Sequence, residues 1–212
     1  MSIQKRSILT GILYISLAII GPIGFLLLPG QFNEASNLNA YASSHIATLW
    51  VWFLVEVLII GVEIFLTVYL WKLLNEHNKT LSTVAFYFRM AMILVMIVNS
   101  IFLLAILFTG GSNADIFLPL HGQFVYIWQI SFSFHVLLIG YIVVRYIMTL
   151  WRYLGVALIL GAIGYLMDSV NHLIPLDVSM LTTLATVLLI FVMIGEIGMA
   201  IALILKKVVP VN

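Results

Sequence analysis

An aspartate, an asparagine and a histidine lie within five positions of one another in the segment GYLMDSVNHLIP, residues 164–175, near the end of an apolar run. On a helix, Asp168, Asn171 and His172 share one face because their spacing is three to four residues. One interpretation is a local hydrogen bond or ion pair between Asp168 and His172, since a cation is favoured at a helix C-terminus. A second is a polar pocket for a ligand, and a third is a metal site in which both side chains bind one divalent cation.

The composition requires that these polar residues be placed in a membrane. Hydrophobic residues make up 64% of the chain and charged residues only 8%, whereas about 25% of the residues of a soluble domain are charged. The chain has no cysteine, which excludes a disulfide framework and a thiolate metal site. The net charge of +1 gives no indication of nucleic-acid binding. We expect membrane lipids, and a small-molecule or lipid ligand, as partners.

Six apolar stretches are long enough to cross the hydrocarbon core, which takes about 20 helical residues. We expect an all-α polytopic membrane protein, a single six-helix domain over residues 1–212, with a loop at residues 30–45 that forms a short surface helix or a lid. The six predicted spans are residues 8–29, 46–71, 82–108, 123–148, 153–174 and 180–205.

Positive charge lies on one side of these spans. The connections on the other side contain acidic residues but no Lys or Arg, so the positive-inside rule predicts that both termini are cytoplasmic. The basic residues on the predicted inner side are Lys5, Arg6, Lys72, Lys79, Arg152, Lys206 and Lys207, and the acidic residues on the outer side are Glu34, Asp115 and Asp177.

Three charged residues fall at similar depth within the spans, towards the predicted cytoplasmic side: Glu63, Arg89 and Glu196. A charge in hydrocarbon costs about 2.5 to 3.5 kcal/mol or more and therefore faces a partner. We predict a buried ion-pair network that holds three helices in register. The alternative is a proton or ion path, because Glu56 lies one heptad from Glu63 on the same face.

The remaining polar residues predict a pocket that opens to the outside. Glu56 and His135 are expected near the midplane, facing the interior, while His45 and His121 are expected at the external boundary. Small residues at Ala157, Gly161 and Gly164 on the face of Asp168 should let a neighbouring backbone approach closely. Pro175 should end this helix. The predicted pocket residues are Glu56, Asn99, His135, Asp168, Asn171 and His172.

Two functions stay open at this point. The first is a binding protein or small permease for a small or amphiphilic ligand. The second is a metal-dependent intramembrane hydrolase of lipid-like substrates, although we predict no metal; if one binds, its ligands would come from Asp168, His172, His135 and Glu56, with His45 as a further candidate. Catalytic residues, cofactor and oligomeric state are not indicated by the sequence.

The stretch LPLHGQFVYIWQISFSFHVLLIGYIVVRYIMTLWRYLGVALILGAIGYLMDS resembles the corresponding region of an uncharacterised bacterial membrane family, domain of unknown function 4386. The resemblance extends over nearly the full chain and implies six helices and a bacterial inner-membrane location, but no activity or catalytic residue. Family members usually have a Tyr-Leu-Pro-Arg link between the fourth and fifth helices, and MTLWRYLG lacks that proline. The matching positions are Arg89, His121 with Gly122, Gly140 with Tyr141, residues 154–169, and Gly195 with Glu196.

Overall fold

The computed structural model describes residues 2–33, 35–147, 151–174 and 178–205. These residues form helices and no strands, so the all-α prediction is confirmed. The helices are α1 Ile3–Gly30, which contains a π-helical segment at Ile23–Leu27, the short α2 Leu38–Ser44, α3 Ile46–Leu74, α4 Lys79–Phe108, α5 Ala114–Tyr146, α6 Arg152–Leu173 and α7 Ser179–Ile204.

Within the described ranges, six helices are long and apolar enough to cross a membrane: all except α2. Each of them packs against its neighbours in chain order, and α1 closes the arrangement by packing against both α3 and α7. We call this arrangement the ring. Large apolar side chains such as Leu26, Phe65 and Leu94 are exposed, as expected of a surface that faces lipid. The protein is therefore a multi-pass membrane protein.

The connections fall at two ends of the ring. At one end, which we call the cleft end, the Ser43 hydroxyl donates to the carbonyl oxygen of Gly110 at 2.7 Å. At the opposite end, the Asn78 side-chain amide donates to the Tyr146 hydroxyl at 2.9 Å, and Arg6 pairs with Glu76 at 4.0 Å. Five residues used in the charge and boundary predictions lie outside the described residues: Glu34, Pro175, Asp177, Lys206 and Lys207. The cytoplasmic location of the termini stays a prediction.

Five of the six predicted spans lie close to the observed helices, and the loop at residues 30–45 contains the expected short helix, α2. The fourth span was predicted to start at residue 123, but α5 starts at Ala114 and includes Pro119. Pro119 is the sixth residue of α5, so it cannot donate a backbone hydrogen bond to the Asp115 carbonyl, and its ring crowds that oxygen. Another element stabilises the early start, since the Asn39 side chain accepts from the Asp115 backbone N–H at 3.0 Å.

Glycines allow α5, α6 and α7 to pack with their backbones close together. A Cβ atom at Gly140 of α5 would meet the carbonyl oxygen of Gly155 of α6 at 2.7 Å. One at Gly161 would overlap Val192 of α7, and one at Gly164 would meet the Leu188 Cβ at 2.8 Å. The small face predicted on the fifth span therefore does face a neighbouring helix, and that helix is α7.

Candidate functional site

Arg89 of α4 lies inside the ring, with only 1% of its surface exposed. Its Nε donates to the Glu63 carboxylate of α3 at 2.8 Å. Its guanidinium also lies over two aromatic rings, 5.6 Å from the centroid of Tyr14 in α1 and 5.5 Å from that of Phe132 in α5. The charge is thus balanced by a carboxylate and by the faces of two aromatic rings.

His135 of α5 also makes a hydrogen bond with this arginine. Its Nδ1 lies 2.8 Å from the carbonyl oxygen of Ala85, which can only accept, so Nδ1 carries a proton. Its Nε2 lies 2.9 Å from Arg89 Nη1, which can only donate, so Nε2 is the acceptor. The contact with Arg89 requires the neutral imidazole, because only an unprotonated Nε2 can accept.

Glu196 of α7 was predicted to join the ion-pair network. It lies close enough to Arg89 and Glu63 to interact with them electrostatically, but it makes no ion pair or hydrogen bond to any residue that the structure describes. It is partly exposed. Each spanning helix thus contributes one ionisable side chain to a group that we call the central cluster: Tyr14, Glu63, Arg89, His135, Tyr165 and Glu196.

A second buried charged group lies towards the cleft end and consists of Glu56 of α3 and His121 of α5, which we call the cleft pair. His121 Nε2 donates to Glu56 Oε1 at 2.7 Å, and the same oxygen accepts from Trp52 Nε1 at 3.0 Å. Glu56 and Trp52 are 2% exposed and His121 is 3% exposed. The His121 and Trp52 rings also pack edge to face, with centroids 4.9 Å apart.

His121 is the site residue that the sequence reasoning missed, because it was expected at the external boundary. The Gly-Gly-Ser-Asn and Leu-Pro-Leu-His-Gly stretches before the apolar run look like a loop. A helical signal was nevertheless present: His121, Trp128 and His135 are spaced by seven residues and therefore lie on one face.

A cleft of about 340 Å³ opens beside the cleft pair. The residues that line the cleft include Pro29 at the end of α1, Phe32 just after it, Leu38 of α2 and Leu118 of α5. Trp52 and His121 also line the cleft, so that its wall contains one ionisable ring among mainly apolar and aromatic side chains.

The structure does not gather the six predicted pocket residues around one cavity, and none of them lines this cleft. Glu56 lies behind His121, and His135 lies in the central cluster. Both are buried inside the ring, as is Asn99 at 1% exposure. Both glutamate and histidine face the ring interior, but they do not bind each other: Glu56 is bonded to His121 and His135 to Arg89. Counting residues along a helix gives the height of a side chain but not its partner.

The other three residues, Asp168, Asn171 and His172, lie together at the cleft end of α6. His172 Nδ1 donates to the Asp168 backbone carbonyl at 2.8 Å and lies 3.4 Å from its carboxylate. The imidazole stacks on Tyr126 with centroids 4.2 Å apart, and the Asn171 side chain donates to the Thr182 hydroxyl at 2.9 Å. This geometry corresponds to the first interpretation of the segment, a local interaction between Asp168 and His172.

No group of three or more His, Asp or Glu side chains is placed to hold a metal ion within residues 2–33, 35–147, 151–174 and 178–205. The four metal ligands considered above, Glu56, His135, Asp168 and His172, belong to three different groups. His45, the fifth candidate, stacks on Tyr41 with centroids 3.9 Å apart. No observation favours the hydrolase hypothesis.

One of the comparisons with known proteins gives a match. The sequence profile of the family described as Domain of unknown function (DUF4386) matches residues 9–206. The chain belongs to this family. No curated protein and no solved structure matches the chain.

Proposed function

We propose that the protein binds a small amphiphilic ligand in the cleft, with His121 as the polar contact and Trp52 and Phe32 as apolar contacts. The observation that carries the proposal is that a histidine held by a buried carboxylate lines a cleft of about 340 Å³. Ligand sites are typically clefts of about 300 to 1,000 Å³ with mainly apolar walls and few polar groups.

The hydrogen bonds of the cleft pair indicate which ligand atom would fit. His121 Nε2 donates to Glu56, so in the neutral imidazole Nδ1 is an acceptor, and it makes no hydrogen bond to any described residue. A ligand hydroxyl or amine would donate to Nδ1. Trp52 already uses its N–H on Glu56 and therefore offers only its ring. Glu56 acts as a positioning residue, because it fixes the orientation of both rings.

Binding is better supported than transport. On the far side of Glu56 from the cleft, the Arg89 guanidinium and the Tyr14 and Phe132 rings occupy the ring interior. We propose further that the cleft end faces the outside of a bacterial inner membrane. Support comes from the basic residues Lys5, Arg6, Lys72, Lys79 and Arg152, which belong to the opposite end and are typical of a cytoplasmic side.

Access to the cleft can be tested without background labelling because the chain has no cysteine. Leu118→Cys should react with a membrane-impermeant maleimide in intact cells, whereas Asn78→Cys at the opposite end should react only after permeabilisation. Reaction of Asn78→Cys alone in intact cells would reverse the proposed orientation. Failure of Leu118→Cys to react in either condition would rule out an open cleft.

Ligand chemistry can be tested with decanol and its methyl ether in lipid nanodiscs. Decanol, which can donate a hydrogen bond, should slow the labelling of Leu118→Cys more strongly than the ether does. The difference should disappear when His121→Lys is added, because lysine still donates to Glu56 but has no acceptor atom. Equal protection by both probes would contradict the role of His121.

A further inference from the structure

Two buried polar atoms inside the ring have no hydrogen-bond partner among the described residues: Oδ1 of Asn99 and Nε1 of Trp128. Asn99 is 1% exposed and Trp128 is 8% exposed. Neither residue belongs to the cleft pair or to the central cluster. Native proteins leave few such atoms unpaired, because burying a polar group without a partner is costly.

Both side chains lie on the interior face of their helix, between the two charged groups. On α4, Asn99 follows Arg89 through Met92 and Met96 at steps of three to four residues, and all four are buried. On α5, Trp128 lies seven residues after His121 and seven before His135. The two orphaned atoms therefore belong to residues that face the ring interior.

The register of α4 and α5 places the two residues at similar height. Phe88 stacks on Phe134 with centroids 5.1 Å apart, and Phe102 packs against Phe124 at 4.9 Å. Interpolation between these contacts places Asn99 opposite residue 126. Trp128 is two residues further along α5, which is about 3 Å along the helix axis.

The chemistry of the two atoms is complementary. The Asn99 oxygen needs a donor and the Trp128 N–H needs an acceptor. Exchanging the oxygen and nitrogen of the Asn99 amide would only replace an unpaired acceptor by an unpaired donor. A cation would suit Asn99 but would face the Trp128 N–H, and an anion would have the reverse problem. Water donates and accepts, and buried water typically makes about three hydrogen bonds to such groups.

We infer that Asn99 and Trp128 bind ordered water inside the ring, in a hydrated site between the cleft pair and the central cluster. This site does not depend on a ligand in the cleft and goes beyond the proposed function.

Hydroxyl-radical footprinting with X-rays tests this inference, because radicals generated from bound water modify the side chains beside it. Trp128 should be oxidised in the native protein, and Asn99→Leu should lower its rate of oxidation several-fold. Ser100→Ala is the matched control, because the Ser100 hydroxyl already donates to the Ile97 carbonyl at 2.8 Å, and it should leave the rate unchanged. An unmodified Trp128, or an equal rate in Asn99→Leu, would overturn the inference.

Thermal stability gives an independent measurement. Leucine has the same branched arrangement of side-chain heavy atoms as asparagine, so Asn99→Leu removes the amide without creating a cavity. If the site is dry, removing an unpaired amide raises the melting temperature. If water is bound, the variant should melt several degrees lower, and an unchanged or raised melting temperature would sink the proposal. Should Asn99→Leu fail to fold, Asn99→Ser retains a hydrogen-bonding group and should preserve Trp128 oxidation.

Discussion

Replacing Glu63 by glutamine should destabilise the protein through electrostatics alone. The glutamine side chain keeps the shape of glutamate, but Arg89, 1% exposed, loses the carboxylate that its Nε contacts at 2.8 Å. Breaking a buried ion pair by removing one partner costs about 3 to 5 kcal/mol. The Glu196 carboxylate still interacts with Arg89, so we expect a loss near the lower limit, about 3 kcal/mol. For a chain of this size that lowers the melting temperature by about 6 to 12 °C.

The assay is a thermal melt of purified protein in detergent, followed by tryptophan fluorescence. Glu76→Gln is the matched control: its partner Arg6 is 4.0 Å away and the two side chains are 43% and 31% exposed, so the change should cost less than about 1 kcal/mol. Adding Arg89→Met to Glu63→Gln should recover part of the loss, because the buried guanidinium that lost its carboxylate is also removed. If Glu63→Gln melts like Glu76→Gln, the carboxylate does not hold the helices together, and the alternative role in a proton path is favoured.

Two further outcomes can be measured by the same melts. Gly140→Ala should destabilise by about 1 to 3 kcal/mol, because its Cβ would meet the Gly155 carbonyl oxygen at 2.7 Å, whereas Gly61→Ala, with open space around it, should be neutral or stabilising; equal effects would contradict the close packing of α5 on α6. Between α3 and α4, partial burial holds the pKa of His77 below its ordinary value of 6.5. The unfolded chain therefore takes up this proton at higher pH than the folded protein, and stability is lost as pH falls through about 6.5. His77→Gln should melt with a weaker dependence on pH in that range, and an unaltered dependence would show that this histidine is not the cause.

The sequence predicted the spanning helices because the length of an apolar run and the charges at its ends are properties of the chain itself. It also brought Glu63 and Arg89 together, since a charge in hydrocarbon needs a partner at its own height. Glu196, chosen by the same argument, lies near Arg89 without bonding to it. The position of a charged side chain along its helix was therefore predictable. The rotation of each helix about its axis, which decides which side chain it bonds to, was not.

His121 shows why the site itself was predicted only in part. His121 is helical only because α5 starts at Ala114 and continues through Pro119. The start of α5 is capped by Asn39 of α2, a residue distant in sequence. Local propensity favours a loop there, and a tertiary contact overrides it. From the sequence, His121 could be identified as the partner of Glu56 only by extending the seven-residue spacing of His135 and Trp128 towards the N-terminus, to a position just after a proline.

Helix geometry explains why the ring contains two charged groups rather than one. Glu56 and Glu63 are seven residues apart, about 10.5 Å along α3, while His121 and His135 are fourteen residues apart, about 21 Å along α5. A histidine that is level with Glu56 therefore cannot be level with Arg89 as well, and each carboxylate needs its own donor because the low dielectric makes an unpaired charge costly. Groups separated by more than about 7 to 10 Å usually contribute independently to stability. The His121–Glu56 hydrogen bond and the Glu63–Arg89 ion pair should therefore contribute independently to stability.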